Sequence, residues 1–458
     1  MKTIKYILAA STAMLMMSSC DDFIDKSPLS NANANNFYNT EEELTIAMRS
    51  VYNTLYDVYG PDVELTGELG GLLPYAGTLE SDDAYLQTIN NGDHSGKDAI
   101  STHVGLDAGN SVILKQWQTC YKSMFKINQV ISKGEAFPSI VAEARFLRAL
   151  YYFDMTRTWG DVPLVLKPVQ IEESYTIGRS PQSEVFDAIV EDLKFAAENL
   201  PNKKNERIVG AATSDAANAL LGKVYLTMGK KDEAATALKK VTGFSLVPDF
   251  KDLWGYQNNN NEESIFEIQF LRNDEVLYSK YYTFFVPYGC EGHSTWGQSF
   301  NAVTPDLAAA MKDDPRYEST ISLWKDGEEL KYWFCKWNDE TANMPVNYAL
   351  AGTDYMVLRY ADVLLMLTEA TGDASYMNQV RARVGLPAIS YSQEALLNER
   401  RMEFAGEFHR WFDLQRLGDP KAAIKNCSVK GGTVANVYLP IPQDVITQSP
   451  IITQNAGY

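Results

Sequence analysis

Residues 213–241, TSDAANALLGKVYLTMGKKDEAATALKKV, predict two antiparallel helices joined by a tight turn. Apolar and small residues recur every three or four positions on both sides of Gly229, which supplies the turn. Gly222 and Ala234 are small enough to let the two helices approach closely, and Tyr225 fills the space above them. One such pair cannot bury its own apolar face, so we expect further helices to stack against it.

The small and aromatic residues of this pair have the spacing typical of tetratricopeptide repeats. Amphipathic patterns predict other helices at 41–59, 108–133, 139–158, 183–200, 355–371, 375–385 and 393–417. The first should begin at a capping box formed by Thr40 and Glu43. The sequence therefore predicts a mainly α fold, a tetratricopeptide-like scaffold of helical pairs with a large loop-rich insertion containing short strands.

Changes of composition divide the chain into regions. A stretch rich in glycine interrupts the first helices, and a later stretch is crowded with aromatic residues. Within the second stretch, residues 264–270 alternate like a strand. The predicted regions are a signal peptide at 1–19, a lipidated tether at 20–40, an N-terminal helical region at 41–245 with an irregular loop at 62–107, a loop-rich insertion at 246–352, and C-terminal helices with an extended tail at 353–458.

The N-terminus has the features of a secretion signal. Lys2 and Lys5 form a short positive region, an apolar run follows, and Ser-Ser-Cys at 18–20 ends it. The run is too short for a stable membrane span. This pattern resembles the lipobox of bacterial lipoproteins, which implies that Cys20 becomes the acylated mature N-terminus. A cleaved signal with an incidental cysteine is the alternative.

Composition narrows the classes of function. The formal net charge is −18, which disfavours nucleic-acid binding and electrostatic attraction to anionic lipid. The 26 Tyr and 8 Trp can supply rings to the core and to a surface site. The cysteines after residue 20 lack metal-ligand spacing, so we expect small buried side chains and predict no metal or cofactor, while one disulfide of unassigned pairing stays open. These cysteines are Cys120, Cys290, Cys335 and Cys427.

Several phrases of the C-terminal region form a recognisable set. They are LRYADVLLM at 358–366 followed by Glu369-Ala370, NQVRARVGL at 378–386, ERRMEFAGE at 399–407, HRWFDLQR at 409–416, LPIP at 439–442 and QNAGY at 454–458. With CDDFID at 20–25, these phrases resemble the SusD/RagB family of surface nutrient-binding lipoproteins over essentially the whole mature chain. Phe408 and Ala456 depart from the family pattern, which often has a small residue and a proline at these positions.

The resemblance implies both a place and a partner. It implies a helical scaffold of tetratricopeptide-like units at the outer leaflet of the outer membrane, anchored by lipid and facing the cell exterior. It also implies a lid on a SusC-like, TonB-dependent transporter, and a ligand that is usually a glycan and in some members a peptide. On this interpretation the protein captures oligosaccharides and delivers them to its transporter.

The charged residues of the C-terminal phrases predict a structural network. They recur mostly at three to four positions along one predicted helix, so opposite charges should pair along one face and lock that helix. A catalytic role is the lesser alternative, because structural ion pairs imitate active sites. The residues are Arg400, Arg401, Glu403, Glu407, Arg410, Asp413 and Arg416.

Two loop segments, 72–107 and 278–301, carry the groups that a glycan needs. Sugars offer apolar C–H faces to aromatic rings and hydroxyl groups to carboxylates and amides. Trp296 is the strongest single candidate because glycines and polar residues surround it. The alternative is that these rings pin the loops onto the helices. The predicted contacts are Tyr75, Asp82, Asp83, Tyr85, Asn90, His103, Tyr288, Trp296 and Gln298.

Other functions remain open at this stage. A peptide ligand would use the same aromatic groove, and the sequence barely separates it from a glycan. A glycoside hydrolase needs two carboxylates facing each other across a sugar at about 5–9.5 Å. The candidate pairs, Glu80 with Asp82 and Glu262 with Glu263, are close neighbours on loops and do not resemble such a pair. Asp82 and Asp83 could instead hold Ca²⁺, although their spacing is not that of an EF-hand.

Overall fold

The computed structural model describes residues 38–60, 71, 73–87, 94–293, 297–344 and 349–458. Its α-helices are α1 (Glu41–Tyr59), α2 (Ser95–Thr102), α3 (Ser111–Lys133), α4 (Pro138–Trp159), α5 (Ile171–Ser174), α6 (Gln182–Asn199), α7 (Ser214–Thr227), α8 (Lys231–Leu238), α9 (Tyr281–Phe285), α10 (Pro305–Met311), α11 (Tyr317–Thr320), α12 (Tyr360–Thr371), α13 (Ala374–Arg383), α14 (Gln393–Glu403), α15 (Arg410–Leu417), α16 (Pro420–Asn426) and α17 (Gln443–Gln448). A π-helical turn spans Pro74–Leu79, and short 3-10 turns span Lys203–Asn205, Phe250–Leu253, Tyr256–Asn258 and Cys335–Trp337.

Helix α1 begins and ends as its sequence predicts. The Thr40 side chain accepts a hydrogen bond from the Glu43 backbone N–H, and the Glu43 carboxylate accepts one from the Thr40 N–H. This reciprocal pairing satisfies two of the backbone donors that a helix N-terminus leaves open. Helix α1 then packs on α3 and on α4, whose residues are buried almost all round and which is the central helix of this layer.

The tetratricopeptide-like pair is α7 with α8. A β-carbon on Gly222 would lie 2.4 Å from Leu238 Cγ, so only glycine permits this close approach of the two helices. Tyr225 is buried beside them, as its spacing predicts. Helix α6 stacks on α7, and α12 stacks on α8, so neighbouring helices cover the faces that the pair cannot bury alone. The predicted fold class is confirmed.

Two small antiparallel sheets lie in and beside the insertion. The strands are β1 (Ala84–Tyr85), β2 (Ser264–Ile268), β3 (Ala302–Val303), β4 (Ile321–Asp326), β5 (Glu329–Phe334) and β6 (Tyr355–Arg359). One sheet has the order β1-β3-β5-β4, and the other pairs β2 with β6. The first sheet therefore joins the early loop to the insertion.

Two helix predictions in the C-terminal region were wrong in extent. The segment predicted as a helix at 355–371 opens with strand β6, whose residues are all buried, so the polar alternation that marks a half-exposed strand is missing. The segment predicted as one helix at 393–417 divides into α14 and α15. Gly406 and Phe408, at φ +79° and +65°, turn the chain between them.

Most charged residues of the C-terminal phrases lock the fold across elements. Of the pairing predicted along one helix face, the contact of Arg416 with Asp413 at 2.9 Å within α15 is present. Arg400 of α14 binds Asp362 of α12 at 2.7 Å and Asp413 of α15 at 2.9 Å. The turn at Gly406 places Arg400 in α14 and Asp413 in α15, so this pair joins two helices. The other pairs are Arg359 with Glu263, Glu403 and Glu407, Arg316 with Glu399 and Glu403, Arg383 with Glu263 and Glu403, Arg401 with Asp83, Arg410 with Asp82, and Arg416 with Glu369.

Two further properties follow from the part of the chain that the structure describes. No helix there combines the length and apolarity needed to cross a bilayer. Cys120, Cys290 and Cys427 are buried free thiols, and Cys335 is a partly exposed free thiol.

Candidate ligand-binding site

The two predicted ligand loops meet in space. Ala84 pairs with Val303 and Tyr85 with Ala302, so β1 of the early loop becomes the edge of the insertion sheet. The backbone N–H of Gln87 also donates to the Ser299 carbonyl at 3.2 Å. Hydrogen-bonded backbone therefore fixes the two segments relative to each other.

Several predicted contacts in the early loop are buried in the scaffold and do not face a ligand. Tyr75 has 0% exposure and packs in the main core. Arg410 Nε and NH2 donate to the two carboxylate oxygens of Asp82 at 2.8 and 2.9 Å. Arg401 Nε donates to Asp83 Oδ1 at 2.7 Å. The prediction for Tyr75, Asp82 and Asp83 is corrected, because Tyr75 lies in the core and arginines more than 300 positions away bind the two carboxylates.

The pKa shifts of Asp82 and Asp83 reflect their burial and their arginine partners, as expected for residues that anchor the early loop to the scaffold. Burial raises the pKa of Asp82, but the Arg410 hydrogen bonds and the Arg401 charge outweigh burial and leave this pKa below its ordinary value. Burial dominates at Asp83, and its pKa is raised. Arg410 binds both carboxylate oxygens of Asp82, and Arg401 binds Oδ1 of Asp83, while Oδ2 of Asp83 has no hydrogen-bond partner. Three of the four oxygens that a Ca²⁺ ion would use at these aspartates are therefore taken by arginines.

His103 is also part of the scaffold. Its ring stacks on Trp411 with centroids 5.5 Å apart, and its Nε2 lies 3.0 Å from the Glu80 carbonyl oxygen. Burial lowers the pKa of His103 to about 4, so the ring is neutral at physiological pH. The prediction of a ligand contact at His103 is corrected, because the ring closes the loop against α15.

The remaining predicted contacts are divided between described and undescribed positions. Asn90, Trp296 and the lipidation site Cys20 lie outside the described residues, so these predictions stay untested. Tyr288 is 47% exposed on the later loop. Tyr85 and Gln298 are partly exposed on the two joined segments.

Trp324 is partly exposed and borders the later loop at Gly289, the chain neighbour of Tyr288, although the sequence prediction placed it outside the ligand site. In the antiparallel hairpin β4–β5, Trp324 pairs with Lys331 and Asp326 pairs with Glu329. These four side chains point to the same side of the sheet, because the pairs are two residues apart. We call this surface, together with Tyr288, the hairpin face. The Lys331 Nζ lies 5.3 Å from the Trp324 ring centroid.

Buried residues support the hairpin face from below and beside it. Trp333 belongs to the same side of β5 and is buried in a small apolar cluster, against which Trp324 packs. The His293 ring meets the Trp333 ring edge-to-face with centroids 5.3 Å apart. Gly289, next to Tyr288, would bring a β-carbon within 3.8 Å of Trp324 Cη2. The later loop therefore borders the Trp324 ring directly.

The early loop reaches the same surface through one side-chain contact. Gln87 Nε2 donates to Glu329 Oε1 at 2.8 Å. Burial raises the pKa of the Tyr85 phenol, and the nearby negative charge of Glu329 raises this pKa further. Both predicted loops therefore contribute to the surroundings of the Trp324 ring.

A sequence signal for the hairpin face existed but was not used. Residues 321–334, ISLWKDGEELKYWF, contain Asp-Gly between two alternating runs, which is a strong hairpin signal. Gly327 occupies the turn at φ +61°. An Asp-Gly turn at 326–327 would place Trp324 opposite Glu329. The turn in the structure is Gly327-Glu328, with Asp326 paired to Glu329, so Trp324 lies opposite Lys331. The hairpin and the side of the sheet that carries Trp324 could therefore have been predicted, but not this pair.

A separate cleft of about 610 Å³ lies between α3, α5 and α17. Its walls are mostly apolar, and none of its lining residues belongs to 72–107 or 278–301. Its rings and aliphatic groups include Trp117, Tyr121, Phe125, Ile171, Tyr175 and Ile452. We place the candidate ligand site at the hairpin face, where the predicted loops converge, and not in this cleft.

Comparisons with known proteins agree with the architecture. A model of the SusD family matches residues 315–458, and a second model, described as "Starch-binding associating with outer membrane", matches residues 22–226. SusD-like protein P2 of Formosa agariphila is 26% identical, with 99% of this chain and 100% of the relative covered. A SusD-like protein of Bacteroides ovatus is 26% identical, with 90% of this chain and 82% of the relative covered.

Solved structures give the same result. A laminarin binding SusD-like protein has a TM-score of 0.79 and 27% identity, with 92% of this chain and 100% of that chain covered. Surface glycan-binding protein A from Bacteroides fluxus has a TM-score of 0.78 with the same coverage, and its 22% identity makes this a likeness of fold. The C-terminal phrases, the helical scaffold and these matches agree, and the chain belongs to the SusD/RagB family.

Proposed function

We propose that this protein captures oligosaccharides at the hairpin face. The observation that carries the proposal is the position of the Trp324 ring, partly exposed beside Tyr288 and held by a buried aromatic base. A flat ring of this kind stacks on the apolar C–H face of a sugar. The similar structure whose name states laminarin binding supports a glycan as the ligand class.

Polar groups around the ring suit the hydroxyl rim of a sugar. The Glu329 carboxylate retains acceptor capacity after its bond from Gln87, because a carboxylate has about four acceptor positions. Gln298 and Tyr85 are partly exposed on the adjoining segments. Trp296 stays a predicted contact because its sequence neighbour His293 meets the Trp333 ring, which lies under this surface.

We propose binding without catalysis. Hydrolysis needs one carboxylate as acid and another as nucleophile or base. Glu263 is fully buried and binds Arg359 at 2.7 Å and Arg383 at 2.9 Å, so it cannot face a sugar. Asp82 is bound by Arg410. One carboxylate of each pair considered for a hydrolase, Glu263 and Asp82, is therefore bound by scaffold arginines. Two of the similar solved structures carry names that state binding.

We also propose that the protein is a lipid-anchored lid for a SusC-like, TonB-dependent transporter on the cell surface. The signal sequence ending at Cys20 and the family description of association with the outer membrane support this location. Delivery to a transporter follows from the resemblance to the family. Co-purification from native membranes with a TonB-dependent barrel tests the partner, and absence of any such barrel contradicts the lid role.

The ligand class is tested by calorimetric titration of the mature protein with oligosaccharides and with peptides of matched size. Binding to oligosaccharides alone is the expected result. Binding to peptides alone would select the rival ligand class, and release of reducing sugar would revive the hydrolase alternative.

A further inference from the structure

We propose that the hairpin face selects uncharged glycans and rejects glycans that carry uronate or sulfate groups. This inference rests on the proposed function and adds the class of sugar that the site accepts. It follows from the charges near the Trp324 ring, of which Asp326, Glu329 and Lys331 have fixed places in the hairpin register.

The lysine of the face is occupied by carboxylates. Lys331 Nζ lies 2.7 Å from Asp326 Oδ2 and 3.8 Å from Glu329 Oε2. An acidic sugar would have to displace these two carboxylates from the lysine to gain a counter-ion. The group of Asp326, Glu329 and Lys331 carries a net charge of −1 before any ligand arrives.

Two further exposed carboxylates lie on the segments next to the hairpin face. Glu340 is exposed, and its Oε1 lies 3.7 Å from His293 Nδ1, on the ring that meets Trp333. Glu291, on the loop next to Tyr288, is also exposed. Like charges brought close together repel each other, and the cost rises as water is excluded from the contact.

The nearby lysines are directed elsewhere. Lys325 alternates with Trp324 along β4, so it points to the opposite side of the sheet. Lys280 lies 5.5 Å from the Tyr278 ring centroid, and Lys97 lies 4.9 Å from that of Phe300. None of these three cations belongs to the hairpin face.

The negative charge is compatible with neutral sugars. A carboxylate accepts hydrogen bonds from hydroxyl groups, and such charge-assisted bonds are stronger than bonds between neutral groups. Gln87 holds Glu329 by a 2.8 Å bond, so this acceptor has a defined position. The same carboxylate therefore attracts a hydroxyl rim and repels an anionic substituent.

The experiment compares charged and uncharged forms of one backbone. The mature protein is run on native affinity gels containing neutral glucans, mannans and galactans, and on gels containing alginate, polygalacturonate or sulfated galactan. Each neutral polymer that retards the protein is then oxidised at its primary hydroxyls to uronates and tested again. We expect binding to the oxidised form to be at least tenfold weaker at low salt, and the difference to shrink in high salt as charges are screened.

Variants connect this effect to the hairpin face. In the double variant Asp326→Asn with Glu329→Gln, Lys331 is released and binding to the oxidised polymer should recover. Glu172→Gln, an exposed carboxylate on α5, is the matched control and should change neither affinity. Equal binding of native and oxidised polymer, or retardation by acidic polymers alone, would overturn the selectivity while leaving glycan capture intact. If none of the polymers retards the protein, both the proposed function and this inference are contradicted.

Discussion

Gln87 and Glu329 are hydrogen bonded, Nε2 to Oε1 at 2.8 Å, although 242 positions separate them in the chain. The bond joins the early loop to the hairpin that carries Trp324. Both segments also share backbone pairing through β1, β3 and β5. The ligand surface is therefore assembled from three distant parts of the sequence.

The Gln87 contact predicts a selective loss of affinity. Gln87→Ala removes a side-chain hydrogen bond to a carboxylate but leaves the strand pairing of β1 unchanged. A hydrogen bond to a charged group contributes about 1.5–3 kcal/mol, but Gln87 acts on the ligand only through the position of Glu329, so a part of this energy is lost from binding. We expect the affinity for the oligosaccharide to fall by about three- to tenfold. Calorimetric titration measures this, and an unchanged affinity would show that the bond has no part in the site.

The Arg410–Asp82 contact predicts a loss of stability. Arg410→Ala leaves the Asp82 carboxylate buried with only Arg401, at 3.2 Å. Breaking a buried pair from one side costs about 3–5 kcal/mol, and the remaining arginine should keep the loss near 3 kcal/mol. Urea unfolding measures this. Arg49→Ala, on the exposed side of α1, is the control, and an equal loss in both variants would contradict the anchoring role.

Gly77 predicts a second loss of stability by a steric route. A β-carbon there would lie 2.3 Å from the Phe408 carbonyl oxygen, and the Phe408 backbone is held at φ +65°. A backbone obstacle cannot swing away, so we expect Gly77→Ala to cost about 1–3 kcal/mol. Gly431→Ala is the matched control, because no atom lies within 4 Å of its added β-carbon. Similar melting temperatures for the two variants would contradict this packing.

Asp354 predicts how stability depends on pH. Burial, followed by the charge of Glu267, raises its pKa to about 8. The folded protein therefore holds a proton that the unfolded chain releases above about pH 4, so the free energy of unfolding falls as pH rises from about 4 to about 8. Asp354→Asn can still accept from the Phe270 N–H, as Oδ1 does at 2.7 Å, and no longer titrates.

We expect the Asp354→Asn variant to melt at a higher temperature than the parent protein at pH 8, and to have a flatter dependence on pH. Thermal unfolding between pH 4 and 9 measures this. If the melting temperatures of the two proteins change in parallel with pH, the proton is not held by Asp354 and Glu267.

Local patterns predicted the parts of the fold that depend on local interactions. The capping box at Thr40 and Glu43 fixed the start of α1, and Gly222 with Tyr225 identified the close pair α7–α8. Strand β6 was missed because both of its faces are buried and its polar signal is absent. The division of 393–417 was missed because Phe408, a residue that rarely adopts positive φ, makes the turn.

The candidate site was harder to predict because its partners are distant. Asp82 and Asp83 look like ligand-binding aspartates in a loop, but their arginines lie 328 and 318 positions away. A single sequence does not show that such residues meet. Trp324 was within reach of prediction, since Asp-Gly at 326–327 defines its hairpin and its side of the sheet.

The most direct test is the affinity of the Trp324→Ala variant for the oligosaccharide that the parent protein binds. Leu323→Ala is the matched control, because Leu323 is 50% exposed and lies on the opposite side of the same strand. Since ring stacking is expected to dominate binding, the account predicts at least a tenfold loss of affinity for Trp324→Ala. Because the ring also packs on the small apolar cluster, the melting temperature of Trp324→Ala should fall modestly while unfolding stays cooperative, and that of Leu323→Ala should change little. Unchanged affinity in Trp324→Ala, or an equal loss in Leu323→Ala, would contradict the placement of the ligand at the hairpin face.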